Sequence, residues 1–487
     1  MAEIDLSDAD REAARVPART SLIDSLMGCG LAGPRIEKED LQRRVVIPPY
    51  LRQALSESIS RKDVPGDAEE RFPWDGSSTA PEAPIVVFVN SRSGGRHGPA
   101  LMARLQELIS EEQVFDLSNV KPTDFFQYGL GCLERLAGFG DNCASETREK
   151  LRVMVAGGDG TVGWVLGSIS ELYLQNRLPL PPTGIIPLGT GNDLSRSFGW
   201  GGSFPFAWKS AVKRSLFKAT TGQVCQLDSW QIVVSMPSGE AIELPYALKN
   251  REECVFDKDD NIEDYLPEKP TQIEGVFYNY FSIGMDAQVA YGFHHLRNEK
   301  PSLAQGPISN KVYSLTASYL IYSGYSCTQG WFFTPCLSDP SLRGLKNILR
   351  LQIKRPNSSK WEPVRIPSRA IVALNLPNYG SGRNPWGQLK PDYLEKRGFV
   401  EARADDGLLE IFGFKQGWHA SFVMAELINA KHLAQAASIK LELRGGQWKD
   451  AYMQMDGEPW KQPIHAEHST FVDIKRVPCQ SLLINGL

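Results

Sequence analysis

The strongest chemical signal in the chain is a glycine-rich turn that carries one aspartate, Gly157-Gly-Asp-Gly-Thr161. An apolar run at 151–155 predicts a strand before it, and the apolar spacing at 162–173 predicts a helix after it. Glycines at such a turn let backbone N–H groups approach an anion, and the helix start adds its positive dipole end. Asp159 would repel a phosphate, so we expect it to hold Mg²⁺ or to accept a proton from a hydroxyl. A phosphate cradle that contains a carboxylate indicates phosphoryl transfer.

Two further glycine turns occur along the chain. Asn90-Ser-Arg-Ser-Gly-Gly-Arg-His97 follows an apolar run at 85–89, and Gly189-Thr-Gly-Asn-Asp193 follows another at 184–188. In chain order, 90–97, 157–161 and 189–193 are called the first, second and third glycine turns. Alternating strands and helices predict a parallel sheet, whose ligand site lies at the carboxyl ends of its strands. We therefore expect the three turns to converge on one nucleotide.

The glycine turns are also compatible with two alternative structures. Gly158, Gly160 and Gly163 fit a dinucleotide-binding turn, but that fold requires an acidic residue about twenty residues later, where this chain has another glycine turn. In the second alternative the glycines only make tight connections and bind no ligand. Two such turns in series, each with an aspartate, disfavour this interpretation. P-loop kinases are excluded because the chain has no Gly-Lys dipeptide. Protein kinases are excluded because neither His-Arg-Asp nor Asp-Phe-Gly occurs.

The region beyond residue 225 is expected to be rich in β-strands. Short apolar or alternating runs between proline and glycine turns are typical of strands. Such runs span residues 230–234, 371–376, 408–414, 441–443 and 471–474. The sequence also predicts a helix over 420–438 and a loop or insertion over 249–270, which is charged and poor in strand formers.

The predicted fold class is therefore α/β plus β. A parallel-sheet, nucleotide-binding lobe at 83–224 is followed by a β-rich, β-sandwich-like accessory lobe at 225–487, from which residues 481–484 could return to the first lobe. Residues 1–82 form an N-terminal extension with short helices predicted near 22–27 and 50–59, and a linker over 63–84. Helices with an apolar stripe usually pack on their own protein, and a regulatory or membrane-docking role is the alternative.

The composition agrees with a soluble globular enzyme. The 487 residues include 23% charged and 42% hydrophobic residues, and the net charge of -4 favours no nucleic-acid partner. The eight cysteines show no C-x-x-C spacing, so reduced buried thiols are expected. No apolar run reaches the ~20 residues of a spanning helix, and no signal peptide is evident. We expect a cytoplasmic protein that contacts membranes peripherally.

One segment after the third turn is a candidate for that membrane contact. Aromatic side chains precede or open a predicted helix with recurring cations, and such a basic strip suits anionic lipids. The candidate residues are Trp200, Trp208, Lys209, Lys213, Arg214 and Lys218. The alternative is that the aromatic residues belong to the core and the cations form a solvated face.

Six motifs, in family order from about residue 82 to nearly the C-terminus, resemble those of the diacylglycerol kinase family. They include Gly157-Gly-Asp-Gly-Thr-Val-Gly-Trp164 and Pro187-Leu-Gly-Thr-Gly-Asn-Asp-Leu194. The remaining motifs are segments 88–95, 280–286, 405–410 and 454–460. The first motif block alone is shared with sphingosine, ceramide and NAD kinases. The third turn with Phe198-Gly-Trp200, and the downstream motifs, favour the diacylglycerol branch, and the lack of zinc fingers resembles its short plant members.

The resemblance implies ATP-dependent phosphorylation of 1,2-diacylglycerol to phosphatidic acid, a step in lipid second-messenger signalling. Together with the glycine turns it assigns ATP contacts to Asn90, Ser91, Arg92, Ser93, Gly94, Gly95, Gly157, Gly158, Gly160, Thr161, Gly189, Thr190, Gly191 and Asn192. Asp159 and Asp193 match carboxylates of an aspartate–water–Mg²⁺ network, with Asp228 a weaker candidate. Asp406 matches a structural Mg²⁺ site of bacterial relatives, although Arg403 stands where those have serine.

The resemblance also suggests a proton acceptor. Asp456 and Glu458 match the position of the proposed base, and Asp159 is favoured as organiser of metal and water. Spacing alone favours an ordinary hairpin turn at Asp456-Gly457, after residues 452–455, and only the resemblance reverses this interpretation. A kinase for a sphingoid base, ceramide or NAD is one alternative function. A non-catalytic nucleotide-binding regulator is another, disfavoured because the motif carboxylates are all present.

Overall fold

The computed structural model describes residues 36–93, 98–189, 191–203, 208–237, 242–251, 270–299, 344–380, 382–387, 389–415, 429–446 and 448–487. Within these ranges the chain forms two compact units. The first unit comprises the residues through Leu227 together with Ser481–Leu487, and the second unit comprises Asp228–Gln480. In the described ranges, every helix is too short or too polar to cross a membrane.

The first unit is a sheet with helices between its strands. The strands are β1 (Ile85–Val89), β2 (Val114–Asp116), β3 (Arg152–Gly157), β4 (Thr183–Pro187), β5 (Val224–Leu227) and β19 (Ser481–Ile484). Their order is β2-β1-β3-β4-β19-β5. All neighbours are parallel except β5, which runs antiparallel to β19. The residues of β1 and β4 are all buried, as expected for strands covered on both faces.

Helices connect these strands and precede β1. They are α1 (Lys38–Val45), α2 (Pro49–Arg61), α3 (Ala68–Arg71), α4 (Gly98–Leu108), α5 (Pro122–Asp124), α6 (Leu130–Gly138), α7 (Asn142–Lys150), α8 (Asp159–Leu174), α9 (Asp193–Ser197) and α10 (Trp208–Thr221). A π-helical segment, Phe125–Gly129, joins α5 to α6, and a 3₁₀ turn, Glu111–Gln113, precedes β2.

The N-terminal extension packs on this sheet from residue 36 onward. The helix predicted near 50–59 is confirmed as α2, whose Leu51 and Leu55 are buried. The fully buried Gln113 side chain accepts from Ile47 N (3.0 Å) and donates to Ile85 O (2.6 Å), which ties the extension to β1. The predicted 63–84 linker contains helix α3. The helix predicted near 22–27 lies outside the described residues.

The second unit is built from antiparallel strands. They are β6 (Trp230–Pro237), β7 (Leu248–Asn250), β8 (Pro270–Phe277), β9 (Tyr280–Gly284), β10 (Leu349–Lys354), β11 (Glu362–Val364), β12 (Ala370–Leu374), β13 (Leu409–Phe414), β14 (Lys431–Ala436), β15 (Ser438–Leu443), β16 (Asp450–Met455), β17 (Glu458–Pro463) and β18 (Thr470–Arg476). In the described part of this unit the helices are α11 (Met285–Glu299) and α12 (Pro391–Arg397), and Leu345–Asn347 forms a 3₁₀ turn.

Within the described ranges, the strands of the second unit form one sheet in the order β11-β10-β15-β18-β6-β8-β7 and another in the order β14-β13-β12-β9-β16-β17. Side chains from both sheets share one apolar core, which includes the buried Trp230, Phe281 and Trp460. Shared burial of the inner faces is the arrangement of a β-sandwich. The α/β lobe and the β-rich lobe of the expected fold are therefore confirmed.

The helix predicted over 420–438 is wrong for residues 431–436, which form strand β14 beside β13. Residues 416–428 lie outside the described part. Alanine, leucine and glutamine favour a helix locally, but the tertiary structure buries this segment. His432 Nε2 lies 2.6 Å from Glu410 Oε2, and Gln435 Nε2 donates to Glu410 Oε1 at 2.6 Å. Polar residues that suggest a solvated helix face thus pair with one another inside the sheet.

Candidate functional site

The three glycine turns begin side by side at the carboxyl edge of the first sheet. The register pairs Val89 of β1 with Ala156 of β3, and Gly157 with Pro187 of β4. Backbone hydrogen bonds extend these ladders into the turns, from Asn90 N to Ala156 O and from Leu188 N to Gly157 O, both at 2.9 Å. The parallel register therefore brings together segments that lie far apart along the chain.

The second and third turns touch through their glycines. A Cβ built on Gly189 would lie 2.6 Å from the Cα of Gly158. A Cβ built on Gly157 would lie 2.5 Å from the Cβ of Thr161. Real Cβ atoms do not approach so closely, so glycine is required at positions 157 and 189 for packing alone. A Cβ on Gly160 meets no described atom within 4 Å, so packing does not account for that glycine.

Asn90 joins the first turn to the second. Its Nδ2 donates to Thr161 Oγ1 at 3.0 Å, and its Oδ1 accepts from Arg92 N at 3.2 Å. The turn closes with a hydrogen bond from Ser93 N to Asn90 O at 2.9 Å. The Asn90 side chain thus fixes backbone groups at the carboxyl edge of the first sheet. Gly94, Gly95 and Thr190, which the sequence assigns to ATP, lie outside the described residues.

Asp159 joins the second turn to the third. It opens helix α8, and its carboxylate accepts from Asp193 N (2.9 Å) and Leu194 N (3.1 Å) at the start of α9. A Cβ built on Gly191 would lie 3.4 Å from Asp159 Oδ2 and 3.7 Å from Asp193 Oδ2. The two carboxylates therefore approach one point at the sheet edge, and the helix-start N–H groups offset part of their repulsion.

Asn192 serves the third turn itself. It has a left-handed backbone (φ 55°), and its side chain is buried. Its Oδ1 accepts from Gly189 N at 2.9 Å, and its Nδ2 donates to Gly189 O at 2.7 Å and to Gly202 O at 3.0 Å. The Asn192 amide is thus occupied within the protein and fixes the shape of the third turn.

The remaining metal candidates lie in the second unit. Asp228 Oδ2 accepts from Gly407 N at 2.6 Å, and its Oδ1 accepts from Gln480 Nε2 at 2.9 Å and from Arg476 Nη1 at 3.4 Å. Burial raises the pKa of Asp228. The structure thus separates the four metal candidates into two pairs, Asp159 with Asp193 in the first unit, and Asp228 with Asp406 in the second.

Asp406 lies close to three other carboxylates of the second unit. Burial, and the nearby carboxylates of Glu410, Asp228 and Asp405, raise the pKa of Asp406 to about 7. Its Oδ2 is buried without a hydrogen-bond partner among the described residues. Arg403 donates two hydrogen bonds to Asp405, at 3.0 and 3.1 Å. In the described ranges, no group of three or more His, Cys, Asp or Glu side chains could hold a metal ion.

Asp456 occupies the hairpin turn between β16 and β17 with a left-handed backbone (φ 49°). Its half-buried carboxylate accepts three backbone hydrogen bonds of 2.9 Å, from Tyr278 N, Asn279 N and Tyr280 N. Burial raises the pKa of Asp456 to about 6, although these hydrogen bonds act in the opposite direction. The predicted hairpin turn is confirmed, and the carboxylate also fixes the segment that leads into β9.

Glu458 opens strand β17, two residues after Asp456. Its Oε2 accepts from Ala247 N at 3.0 Å, and the residue is half-buried. Both candidate bases therefore hold neighbouring backbone segments of the second unit in place. Their arrangement provides a carboxylate pair on one hairpin.

The predicted membrane patch is only partly exposed. Trp200 is half-buried: its indole donates to Ile484 O at 2.6 Å, and part of its ring packs where Gly486 and Gly184 lack side chains. Lys218 Nζ donates to Gly486 O at 2.5 Å. On α10, Lys209 is exposed, and Lys213 and Arg214 are half-exposed. The side chain of Trp208 lies outside the described part.

Sequence reasoning missed one carboxylate at the start of α11, Asp286, which three polar side chains surround. Asp286 Oδ2 accepts from Ser282 Oγ and Tyr379 Oη, both at 2.8 Å, and from Gln454 Nε2. Burial raises the pKa of Asp286. The sequence signal that could have identified Asp286 is its position at the end of the family motif 280–286. A second missed carboxylate, Asp116, ends β2 at the same sheet edge as the glycine turns.

Comparison with known proteins agrees with this architecture. Residues 84–224 match the diacylglycerol kinase catalytic domain, and residues 276–459 match the diacylglycerol kinase accessory domain. The chain is 62% identical over 490 residues to diacylglycerol kinase 4 of Arabidopsis thaliana, with 99% of each chain covered. It is 36% identical over 426 residues to diacylglycerol kinase 1 of Oryza sativa subsp. japonica, covering 83% of this chain and 82% of that protein.

A more distant match shows which part of a longer protein this chain resembles. Human diacylglycerol kinase zeta is 31% identical over 378 residues, which cover 78% of this chain and 34% of the human protein. The glycine turns and the hairpin carboxylates all lie within the two matched domains. From this similarity over nearly the full length of plant relatives, we conclude that the chain belongs to the diacylglycerol kinase family.

Proposed function

We propose that this protein transfers the γ-phosphoryl group of ATP to the free hydroxyl of 1,2-diacylglycerol, giving phosphatidic acid and ADP. The observation that supports this activity most directly is the contact of the second and third glycine turns, with Asp159 bridging the helices that follow them. Phosphoryl transfer depends mainly on positioning and on neutralising phosphate oxygens. Membership of the family indicates the lipid acceptor.

The glycine turns and the start of α8 supply the donors for the ATP phosphates. Backbone N–H groups can approach an anion at positions without Cβ atoms, and the helix start adds a favourable dipole. Gly160 is the clearest case, because no described atom accounts for the lack of a side chain there.

The residues at the sheet edge fit Mg²⁺. Asp159 Oδ2 and Asp193 Oδ2 approach one point, and Mg²⁺ prefers oxygen ligands, usually one or two carboxylates together with substrate phosphates. When bound, Mg²⁺ neutralises charge on the phosphate oxygens. The protein's own contribution is to hold Asp159 rigidly, since both of its oxygens accept backbone hydrogen bonds from α9.

We assign the proton acceptor to Asp456. A general base works best when its pKa lies near the operating pH, and burial raises the pKa of Asp456 to about 6. Three backbone donors fix the orientation of its carboxylate, so it needs no rearrangement before it accepts the proton of the lipid hydroxyl. Glu458, on the same hairpin, is the alternative acceptor.

The acceptor lipid brings the protein to a membrane surface, because diacylglycerol resides in bilayers. We infer a peripheral contact on the cytoplasmic side, where ATP is available. Lys209, Lys213 and Arg214 on α10 provide local positive charge that anionic headgroups attract. Lys218 is exposed as well, and its Nζ also donates a hydrogen bond to Gly486 O.

The activity is tested with the purified chain, γ-labelled ATP and Mg²⁺ on vesicles that contain 1,2-diacylglycerol. Parallel reactions offer sphingosine, ceramide or NAD, and thin-layer chromatography separates the products. Label in phosphatidic acid, and its loss in Asp159→Asn, are the expected results. Label in another product would replace the proposed acceptor. ATP binding without transfer to any acceptor would instead indicate a nucleotide-binding regulator.

A further inference from the structure

Asp116 is a carboxylate that lies at the carboxyl edge of the first sheet but outside the three glycine turns. It ends β2, and the register pairs it with Val89, the last residue of β1. The first turn starts at Asn90, one residue later. Because the strand order is β2-β1-β3-β4, Asp116 lies level with the turns, on the side of β1 opposite to β3 and β4.

The contacts of Asp116 leave one oxygen available. Ser91 Oγ donates to Oδ1 at 3.0 Å, and Ser118 N donates to the same oxygen at 2.9 Å. Oδ2 receives no hydrogen bond from any residue that the structure describes, and the side chain is half-buried. Burial opposes ionisation, but the hydrogen bonds from Ser118 and Ser91 outweigh it and lower the pKa of Asp116. An ionised carboxylate is an acceptor only, so it suits a hydroxyl and repels a phosphate.

The order of groups along the edge gives the nucleotide a direction. Asp159 and Asp193, the Mg²⁺ candidates, follow β3 and β4, so the terminal phosphates belong on that side. The first turn follows β1 and lies next in the row. If the phosphates extend from β3 across β1, the nucleoside is expected next to the end of β2, where Asp116 lies. Neighbouring strands are about 4.8 Å apart, so the ends of β2 and β3 are roughly 10 Å apart, comparable to an extended triphosphate tail.

We propose that Asp116 accepts a hydrogen bond from a ribose hydroxyl of the nucleotide, and so selects ribonucleoside over deoxyribonucleoside triphosphates. In doubly wound folds an acidic residue about twenty residues after the glycine turn binds the ribose, and Asp116 stands at about this distance from Gly95. This assignment depends on the proposed use of ATP, and it adds the group that recognises the sugar.

The experiment compares ATP with 2′-deoxy-ATP and 3′-deoxy-ATP in the vesicle assay, for the wild type, Asp116→Ala and Asp116→Asn. A hydrogen bond to a charged group corresponds to about tenfold or more in affinity, so the wild type should show that ratio in KM for at least one deoxy nucleotide. In Asp116→Ala the KM for ATP should rise to the deoxy value, so that the ratio falls to about one. Asp116→Asn, which keeps an acceptor oxygen for Ser118 N, guards against a folding defect. Asp63→Ala, at an exposed position, is the matched control that should keep the wild-type ratio.

Two results would overturn the assignment. The wild type could use all three nucleotides equally, or Asp116→Ala could raise every KM together and preserve the ratio, as a residue that only shapes the Ser91–Ser118 turn would do. Calorimetric binding of ATP and the deoxy nucleotides gives the same comparison without turnover. Loss of lipid phosphorylation in the wild type, with the nucleotide preference intact, would therefore refute the kinase proposal and keep the ribose contact.

Discussion

Two aspartates, one in each unit, hold backbone segments together in different ways. Asp159 accepts two N–H groups at the start of α9, beside glycines whose missing side chains let the turns meet. Asp456 accepts three N–H groups of residues 278–280 from a hairpin with a left-handed backbone. The first region therefore depends on absent side chains as well as a charge, whereas the second depends on one carboxylate. Adding a methyl group should damage the first region, and removing the hydrogen-bond acceptors of the carboxylate should damage both.

The largest effect is expected from Asp159→Asn. The variant loses the charge of one of the two Mg²⁺ candidates in the first unit. We therefore expect kcat to fall by at least about 10³-fold, as it does when an enzyme loses a group that stabilises charge in the transition state. Asparagine keeps one acceptor oxygen, so the free energy of unfolding should drop by only about 1–3 kcal/mol. Phosphatidic acid formation and chemical denaturation measure the two quantities. Activity within a few-fold of wild type would remove Asp159 from the mechanism.

The next effect concerns the pH dependence set by Asp456. If it is the base, kcat/KM should fall below pH 6, because its pKa is about 6 and the protonated form accepts no proton. Asp456→Asn should lower kcat by about 10²-fold and abolish that acid limb. Steady-state rates between pH 5 and 8 check this. An acid limb that survives in Asp456→Asn and disappears in Glu458→Gln would move the role to Glu458.

The pH dependence of the unfolding free energy offers an independent test of the raised pKa of Asp456. Because folding raises the pKa of Asp456 above its ordinary value, the folded state binds this proton more tightly. Its contribution to stability should be fully present below about pH 4 and should be lost as the pH rises through 6. The difference in unfolding free energy between wild type and Asp456→Asn should therefore grow on acidification. A difference independent of pH would contradict the raised pKa.

A smaller effect separates two glycines of the second turn. The Cβ of Gly157→Ala would lie 2.5 Å from Thr161 Cβ, and such overpacking costs about 1–3 kcal/mol. The Cβ of Gly160→Ala meets no described atom, and alanine favours a helix, so stability should be unchanged or slightly higher. Denaturant titration of both proteins without nucleotide makes the comparison. Equal losses would show that helix geometry, and not the contact with Thr161, requires glycine.

The smallest expected effect is on membrane binding through α10. Replacing Lys209, Lys213 and Arg214 by glutamine should weaken binding to anionic vesicles about tenfold at low salt, since each cation near the surface contributes up to about 1 kcal/mol. Lys218→Gln is the internal comparison, because it should lower stability through the lost contact with Gly486 O. Vesicle sedimentation at several salt concentrations measures the effect. Unchanged binding at every ionic strength would exclude the strip.

Local signals make the first unit predictable from sequence. Buried apolar strands that end in glycine turns, each followed by a helical stripe, indicate both the parallel sheet and the edge where its ligand site lies. The second unit is less predictable because its structure depends on distant partners. Strand β14 has helical composition, but Glu410 pairs with its buried polar side chains. The sequence assigns Asn192 to ATP and Trp200 to membrane contact. In the structure Asn192 Oδ1 accepts a hydrogen bond from Gly189 N, and Trp200 Nε1 donates one to Ile484 O.

Strand β19 gives the first unit an unusual dependence on synthesis order. It lies between β4 and β5, yet the entire second unit is translated before it. Until residues 481–484 have been made, the facing edges of β4 and β5 lack their shared neighbour, and bare strand edges invite aberrant pairing. The first sheet can therefore be completed only after the second unit has been synthesised. The strand that completes it, β19, contains none of the glycine turns.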